Sequence, residues 1–173
     1  MTALPPATAP ATAPSAELAA AVQKSALLGR PGFLIRRLHQ IHGALFLEET
    51  AEFGITPVQY SVLTALAEHG EMDQISIALE VGLERTTVAE VIQRLEGRGL
   101  VRRRQSPKDG RVRLVKLARS GQQMVERMAE AVQRAHDRTI APLPPQDRDQ
   151  LMLLLIRLLE ANNDVGTVPF RLP

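Results

Sequence analysis

The chain has 173 residues, 45% of them hydrophobic and 23% charged, a composition that predicts one ordinary globular domain with a real core. No apolar run approaches the roughly 20 residues that span a bilayer, and no basic segment followed by an apolar one opens the chain, so no membrane contact and a cytoplasmic location are expected. Cysteine is absent, which removes disulfides, thiolate zinc sites and thiol-based sensing together.

Net charge is only +2, but its distribution is uneven. Arg102, Arg103, Arg104, Lys108, Arg111, Arg113, Lys116 and Arg119 crowd one short segment against a single acid, Asp109. A charge run can be a mere solvated face, so its meaning depends on the elements that flank it.

In chain order, Met1 to Pro14 is built from Ala, Pro and Thr with too few large apolar groups to fold alone, and the disordered tail is expected to extend to residue 24. Pro31 and Gly32 introduce Phe33, Leu34, Leu38, Ile41, Leu45 and Phe46 at helical spacing, predicting a first long helix from Pro31 to about Glu52, ended by Gly54. Thr56 followed by Pro57 is an N-cap with proline at the first helical position, and Val58, Val62, Leu63 and Leu66 give a second helix its buried stripe, ending near Gly70.

Asp73 caps a short helix carrying Ile75, Ile77, Ala78 and Leu79; Val81-Gly82-Leu83 makes a turn; and Arg85 to Gly97 forms another helix. Helix, turn and helix in this order are a DNA-binding signature. Val88, Val91, Ile92 and Leu95 share one face of the second helix, leaving Arg85, Thr86, Thr87, Glu90, Gln93 and Arg94 on or near the other, where such side chains suit base edges and phosphates. The pattern then alternates: Val101 to Gln105 and Val112 to Leu117 read as strands joined by Ser106-Pro107-Lys108-Asp109-Gly110, and Asp-Gly between strands signals a hairpin. Ser120 is the expected cap of a long helix with Met124, Val125, Met128, Val132 and Ala135 inward, reaching about Ile140 before Pro142, Pro144 and Pro145. A last helix from near Gln146 carries Leu151, Leu153, Leu154, Leu155, Ile156, Leu158 and Leu159, apolar on more than one face, which predicts packing against a second subunit.

The fold class is therefore mainly α with a small β-hairpin wing, a winged helix-turn-helix. Its expected parts are a helical dimerisation region over 25–55 and 120–163, a DNA-binding lobe over 56–119 and a C-terminal tail over 164–173. No Gly-rich phosphate loop, nucleophile elbow or metal cluster with catalytic spacing is present, so no enzyme, resident metal or cofactor is expected.

Gly82-Leu83-Glu84-Arg85-Thr86-Thr87-Val88, Leu95-Glu96-Gly97-Arg98-Gly99-Leu100-Val101-Arg102 and Asp109-Gly110-Arg111 followed by Leu117 resemble the MarR (multiple antibiotic resistance regulator) family of transcription factors, over roughly Pro31 to Asn162. Ala118 stands where the family commonly has threonine, leaving the capping of the next helix to Ser120. The resemblance implies a two-fold homodimer on double-stranded DNA, a pseudo-palindromic operator with half-sites about one turn apart, and repression relieved by a small ligand. It further implies that Arg111 at the wing tip enters a minor groove with Lys108 nearby, and that Asp109 orients an arginine.

In the family, small aromatic acids commonly lodge between the dimerisation helices and the DNA-binding lobe. The segment from Arg30 to Arg37 also looks like regulators of aromatic-acid catabolism, with phenolic, hydroxycinnamic, benzoic or indole-acetic effectors or their CoA thioesters. Candidate ligand contacts are Arg37 for a carboxylate, and His39, His42 and the single tyrosine, Tyr60, for a phenol, indole N–H or carbonyl. Each has a surface or interfacial role as its alternative. The alternatives for the whole chain are a winged-helix protein-interaction module, with the basic hairpin on an acidic partner, and a metal-responsive regulator using His39-x-x-His42.

Overall fold

Local end signals fix most of the helices. In the computed structural model, which describes residues 15–165 and 168, the backbone forms two compact units, one up to Ile41 and one from His42 onward.

The first unit opens with α1 (Ala16–Lys24), where the Ser15 hydroxyl accepts a hydrogen bond from the Leu18 amide at 3.2 Å. The expectation of disorder through residue 24 is therefore corrected from Ala16 onward: the alanine-rich segment after the serine combines a good cap with the strongest helix former. Residues 1–14 of that expected tail lie outside the described residues, as does most of the C-terminal tail. A 3₁₀ turn (Ala26–Gly29) leads into α2 (Pro31–Glu49), whose residues from His42 on belong to the second unit.

Helix α2 stops short of the expected Glu52. Thr50, buried, turns its hydroxyl back to the Phe46 carbonyl at 2.7 Å, a 3₁₀ turn covers Ala51–Phe53, and Gly54 adopts the left-handed conformation at φ 59°. Helix α3 (Pro57–His69) starts with a reciprocal capping box between Thr56 and Gln59. Asp73 accepts from the Ile75 and Ser76 amides at 2.8 and 2.9 Å and so begins α4 (Gln74–Val81), while Gly82 at φ 63° ends it. Helix α5 (Arg85–Gly97) follows.

The hairpin of β2 (Val101–Gln105) and β3 (Arg113–Leu117) forms in the register Val101 to Leu117 and Gln105 to Arg113. A third strand, β1 (Met72–Asp73), pairs antiparallel with the other edge of β3, giving the order β1-β3-β2. Two residues are too few to show an alternating pattern, so β1 has no sequence signature. Helix α6 (Arg119–Ile140) and α7 (Pro145–Asn162) complete the second unit.

The core of this unit gathers Leu63 and Leu66 of α3, Ile77 of α4, Val88, Ile92 and Leu95 of α5, Val115 of β3 and Met128 of α6, all at most 2% exposed. Helix α7 contributes no buried residue. Met152, Leu153, Leu154, Ile156, Leu158 and Leu159 remain 43–59% exposed, the uncovered apolar surface anticipated from its leucine content.

The start of α6 differs from expectation. Ala118 is the N-cap and supplies no side-chain acceptor, and Ser120 does not cap the helix; its hydroxyl donates to the Gly99 carbonyl at 2.7 Å. What seats α6 instead is close approach. The Leu100 carbonyl accepts from the Ala118 amide at 2.9 Å, and a Cβ on Gly121 would lie 2.0 Å from that same oxygen. Gly121→Ala is therefore expected to destabilise the protein by about 1–3 kcal/mol, because two backbone segments must part to admit one methyl group; an unchanged denaturant midpoint would contradict this contact.

Candidate nucleic-acid interface

Helix α5 is divided along its length. Val88, Val91, Ile92 and Leu95 are buried, and Arg85, Thr86, Thr87, Glu90, Gln93 and Arg94 are all exposed on one continuous surface. Glu90 and Arg94, one turn apart, approach only to 3.7 Å and are 69% and 68% exposed, a weak pair that leaves both side chains open to other partners. The turn before the helix is held by Gln74, whose Nε2 donates to the Arg85 carbonyl at 2.8 Å, and by the Leu83 amide bonding the Ala78 carbonyl at 3.0 Å.

The wing supplies less open charge than its sequence suggests. Arg103 grips Glu96 on α5, with Nε donating at 2.7 Å, and Arg104 grips Glu71 in the same fashion at 2.7 Å. These pairs brace the hairpin against α5 and against the segment before β1. Arg102 and Lys108 are exposed and make no ion pair among the described residues.

At the wing tip Asp109 accepts from the Arg111 amide at 3.0 Å and from its guanidinium at 3.2 and 3.3 Å, while Arg111 stays 92% exposed. The carboxylate thus orients the arginine, in line with the role the resemblance implies. Arg85, Arg111 and Arg113 together line an open cavity of about 510 Å³ with Gln74, Ile75 and Ser76. Gln74, Ser76 and Arg113 were absent from the sequence-based set, because their meeting with Arg85 depends on how the wing folds over α4.

The ligand candidates separate. Arg37 and His39 are exposed in the first unit, where Arg37 Nη1 donates to Gln40 Oε1 at 2.9 Å. His42 and Tyr60, in the second, flank the buried Phe46 ring, with centroids 6.4 and 6.0 Å from it. His42 stacks on His136 of α6 at 5.0 Å and 16°, a residue that sequence reasoning missed although it continues the helical spacing of Val132.

Thr139 donates its hydroxyl proton to the Ala135 carbonyl at 2.7 Å and stands 2.9 Å from His42 Nδ1. The Thr139 hydroxyl and the His42 imidazole thus meet within hydrogen-bond distance, joining α2 to α6. Thr64, one turn beyond Tyr60, holds a buried hydroxyl with no partner among the described residues. Glu49 accepts from Arg134 at 2.9 Å and Arg138 at 2.6 Å, and these two guanidinium groups hold its carboxyl below the usual range, tying the end of α2 to α6.

The MarR family profile matches residues 55–112. The PcaV transcriptional regulator of Streptomyces coelicolor, solved in complex with its natural ligand, is 36% identical, with 78% of this chain and 95% of that one covered at a TM-score of 0.73. The chain belongs to the MarR family. It is also similar to BpsR of Bordetella bronchiseptica, whose DNA binding is regulated by 6-hydroxynicotinic acid (30% identity, 75% and 92% covered, TM-score 0.72). The repressor CouR, bound to a 23-mer DNA duplex, is 30% identical over 78% of this chain and 95% of its own, with a TM-score of 0.73. Like these MarR-family relatives, the protein is a transcriptional regulator built as a winged helix.

Glu96 and Glu71 carry a pH dependence. Hydrogen bonds from Arg103 and Arg104 respectively hold both carboxyls below the ordinary value of 4.5. For a depressed carboxyl the stabilisation is full above the unfolded value and is lost as pH falls through the lower folded value. A variant with Glu71→Gln and Glu96→Gln should melt below the wild type at neutral pH, and the gap should narrow as pH falls below the ordinary carboxyl value toward the lower folded one; a gap that does not narrow on acidification would show that these pairs do not brace the wing.

Proposed function

We propose that this protein is a homodimeric, sequence-specific DNA-binding repressor, released from its operator by a small aromatic carboxylate or the CoA thioester of one. The observation that carries the reading is the two-sidedness of α5: its apolar face is consumed by the core, and its outer face is a row of short and charged side chains of the kind that read a major groove.

In this role Arg85, Thr86, Thr87, Glu90, Gln93 and Arg94 meet base edges and adjacent phosphates. Lys108 and Arg111 reach the flanking groove and backbone, supplying position and electrostatic affinity. Residues 56–119 form the reading lobe, and 25–55 with 120–163 hold two copies together. The exposed apolar side chains of α7 support this, since covering each from half exposure is worth about 1 kcal/mol. A pseudo-palindromic operator matches a two-fold reader. The role requires access to DNA, which fits a cytoplasmic location, and it contains no catalytic step.

For the effector, His42 and Tyr60 pack beside the buried Phe46 ring, and the Thr64 hydroxyl, without a partner among the described residues, lies on the same side of α3 as Tyr60. Arg37 and His39 stay candidates on sequence grounds alone. Support for the effector class comes from BpsR, which answers to 6-hydroxynicotinic acid, and support for the DNA reading from CouR on its duplex.

Gel-shift titration against the protein's own upstream region should give binding that weakens steeply with salt and exceeds binding to scrambled DNA by about 10³-fold or more. No binding at low salt, or equal affinity for every sequence, would overturn the reading. Arg111→Ala should weaken operator binding and reduce the salt slope by about 1 while leaving the melting temperature unchanged; full retained affinity counts against the wing assignment. A thermal-shift screen of phenolic, benzoic, cinnamic and indole acids and CoA thioesters should find one that stabilises the dimer, by about 2.7 kcal/mol at a hundredfold excess over its Kd, and displaces DNA. A screen without a hit removes the effector class.

A further inference from the structure

Arg98 lies just past the recognition helix, in a motif to which the interface gives no part. It is the C-cap of α5, its amide bonding the Arg94 carbonyl at 3.2 Å. Its guanidinium reaches far back along the chain: Nη1 donates to the Gly54 carbonyl at 2.6 Å and Nη2 to the Phe53 carbonyl at 3.0 Å. Those carbonyls belong to the turn in which α2 ends, and that turn is itself fixed from several sides. Gly54 is left-handed, the Phe53 ring is 8% exposed with the Arg127 guanidinium of α6 5.6 Å from its centroid, and Thr50 is tied to Phe46.

Helix α5 is therefore tethered at both ends by a side chain on a main-chain carbonyl. Gln74 holds the Arg85 carbonyl at its start, and Arg98 at its end holds the carbonyls of a distant turn. The four buried residues of its inner face set its depth and roll against α3, α4 and β2, and the tethers at its ends act on its tilt. Two adjacent carbonyls matched to one planar guanidinium fix direction as well as distance. Over the ~20 Å of a 13-residue helix, about 3° of tilt moves the far end by about 1 Å, enough to carry a 2.9 Å hydrogen bond beyond its limit.

We propose that Arg98 is a positioning residue for DNA reading: by pinning the end of α5 to the turn between α2 and α3, it sets the angle at which the Arg85 to Arg94 face meets a major groove, and it makes that angle answer to movement of α2. The proposal rests on the DNA-reading role above. Arg98 touches no base in this role and acts through the helix that precedes it.

The test uses the full chain carrying Arg98→Ala or Arg98→Lys, a duplex selected by the wild type from a randomised pool, and a scrambled duplex, over a salt series with melting temperatures alongside. Arg98→Ala should lower the selected-to-scrambled affinity ratio about tenfold, through the selected duplex alone, with an unchanged salt slope. Arg98→Lys, able to serve one carbonyl but not both as a fork, should recover part of the ratio. A lowered melting temperature with the ratio intact would make Arg98 a structural brace only and overturn the proposal. An equal loss on both duplexes with the slope reduced by about 1 would make it a phosphate contact and overturn it as well. If the wild type selects no duplex, the DNA-reading role falls and Arg98 with it; if wild type and variant discriminate equally, only the role of Arg98 falls.

Discussion

Burial of Val88, Val91, Ile92 and Leu95 against α3, α4 and β2 is the constraint from which the rest of the second unit follows. A helix with one apolar stripe turns that face to the core, so fixing the inner stripe also fixes which residues face outward, and the tethers at its ends add its tilt. Thr86, Thr87 and Gln93 gain their direction from side chains they never touch, which frees their chemistry to suit a partner.

Charge in the wing is divided in a similar way. Of the basic residues between Val101 and Arg119, Arg103 and Arg104 are committed to Glu96 and Glu71 and Arg111 leans on Asp109, while Arg102 and Lys108 stay open. The committed arginines hold the hairpin at a set angle to α5. An arginine already oriented by a neighbouring carboxylate loses less rotamer freedom when a second acceptor arrives, so the pairing at the tip favours Arg111 rather than silencing it.

What the sequence disclosed follows the reach of the physics involved. The caps at Thr56 and Asp73, the left-handed Gly54 and Gly82 and the two-faced α5 are each decided by neighbours within a turn or two, and each is found where the pattern places it. Misses came where a distant partner decides. Ser120 bonds Gly99 rather than capping α6, Gly121 answers to the Leu100 carbonyl, and Arg104 finds Glu71 across 33 positions. Helix α1 was missed for a local reason: alanines beside a proline-rich stretch were read with it, although Ser15 supplies a cap of its own. In the polar cluster, His42 and Tyr60 were legible from their helices, but His136 and Thr139 join them only through the packing of α6.

The contact at Gly121 also makes α6 a lever. Its first turn is seated on the backbone at Leu100, where the wing begins, while His136 lies about 25 Å farther along at the usual rise per residue. A sideways displacement of about 2 Å at His136 corresponds to rotation through about 5° at the seated end. With no side chain at the fulcrum to cushion it, such a rotation passes from one backbone to the next. Because Met128, Val132 and Ala135 are buried between the two points, a displacement of that size at His136 is felt by the core and the hairpin together.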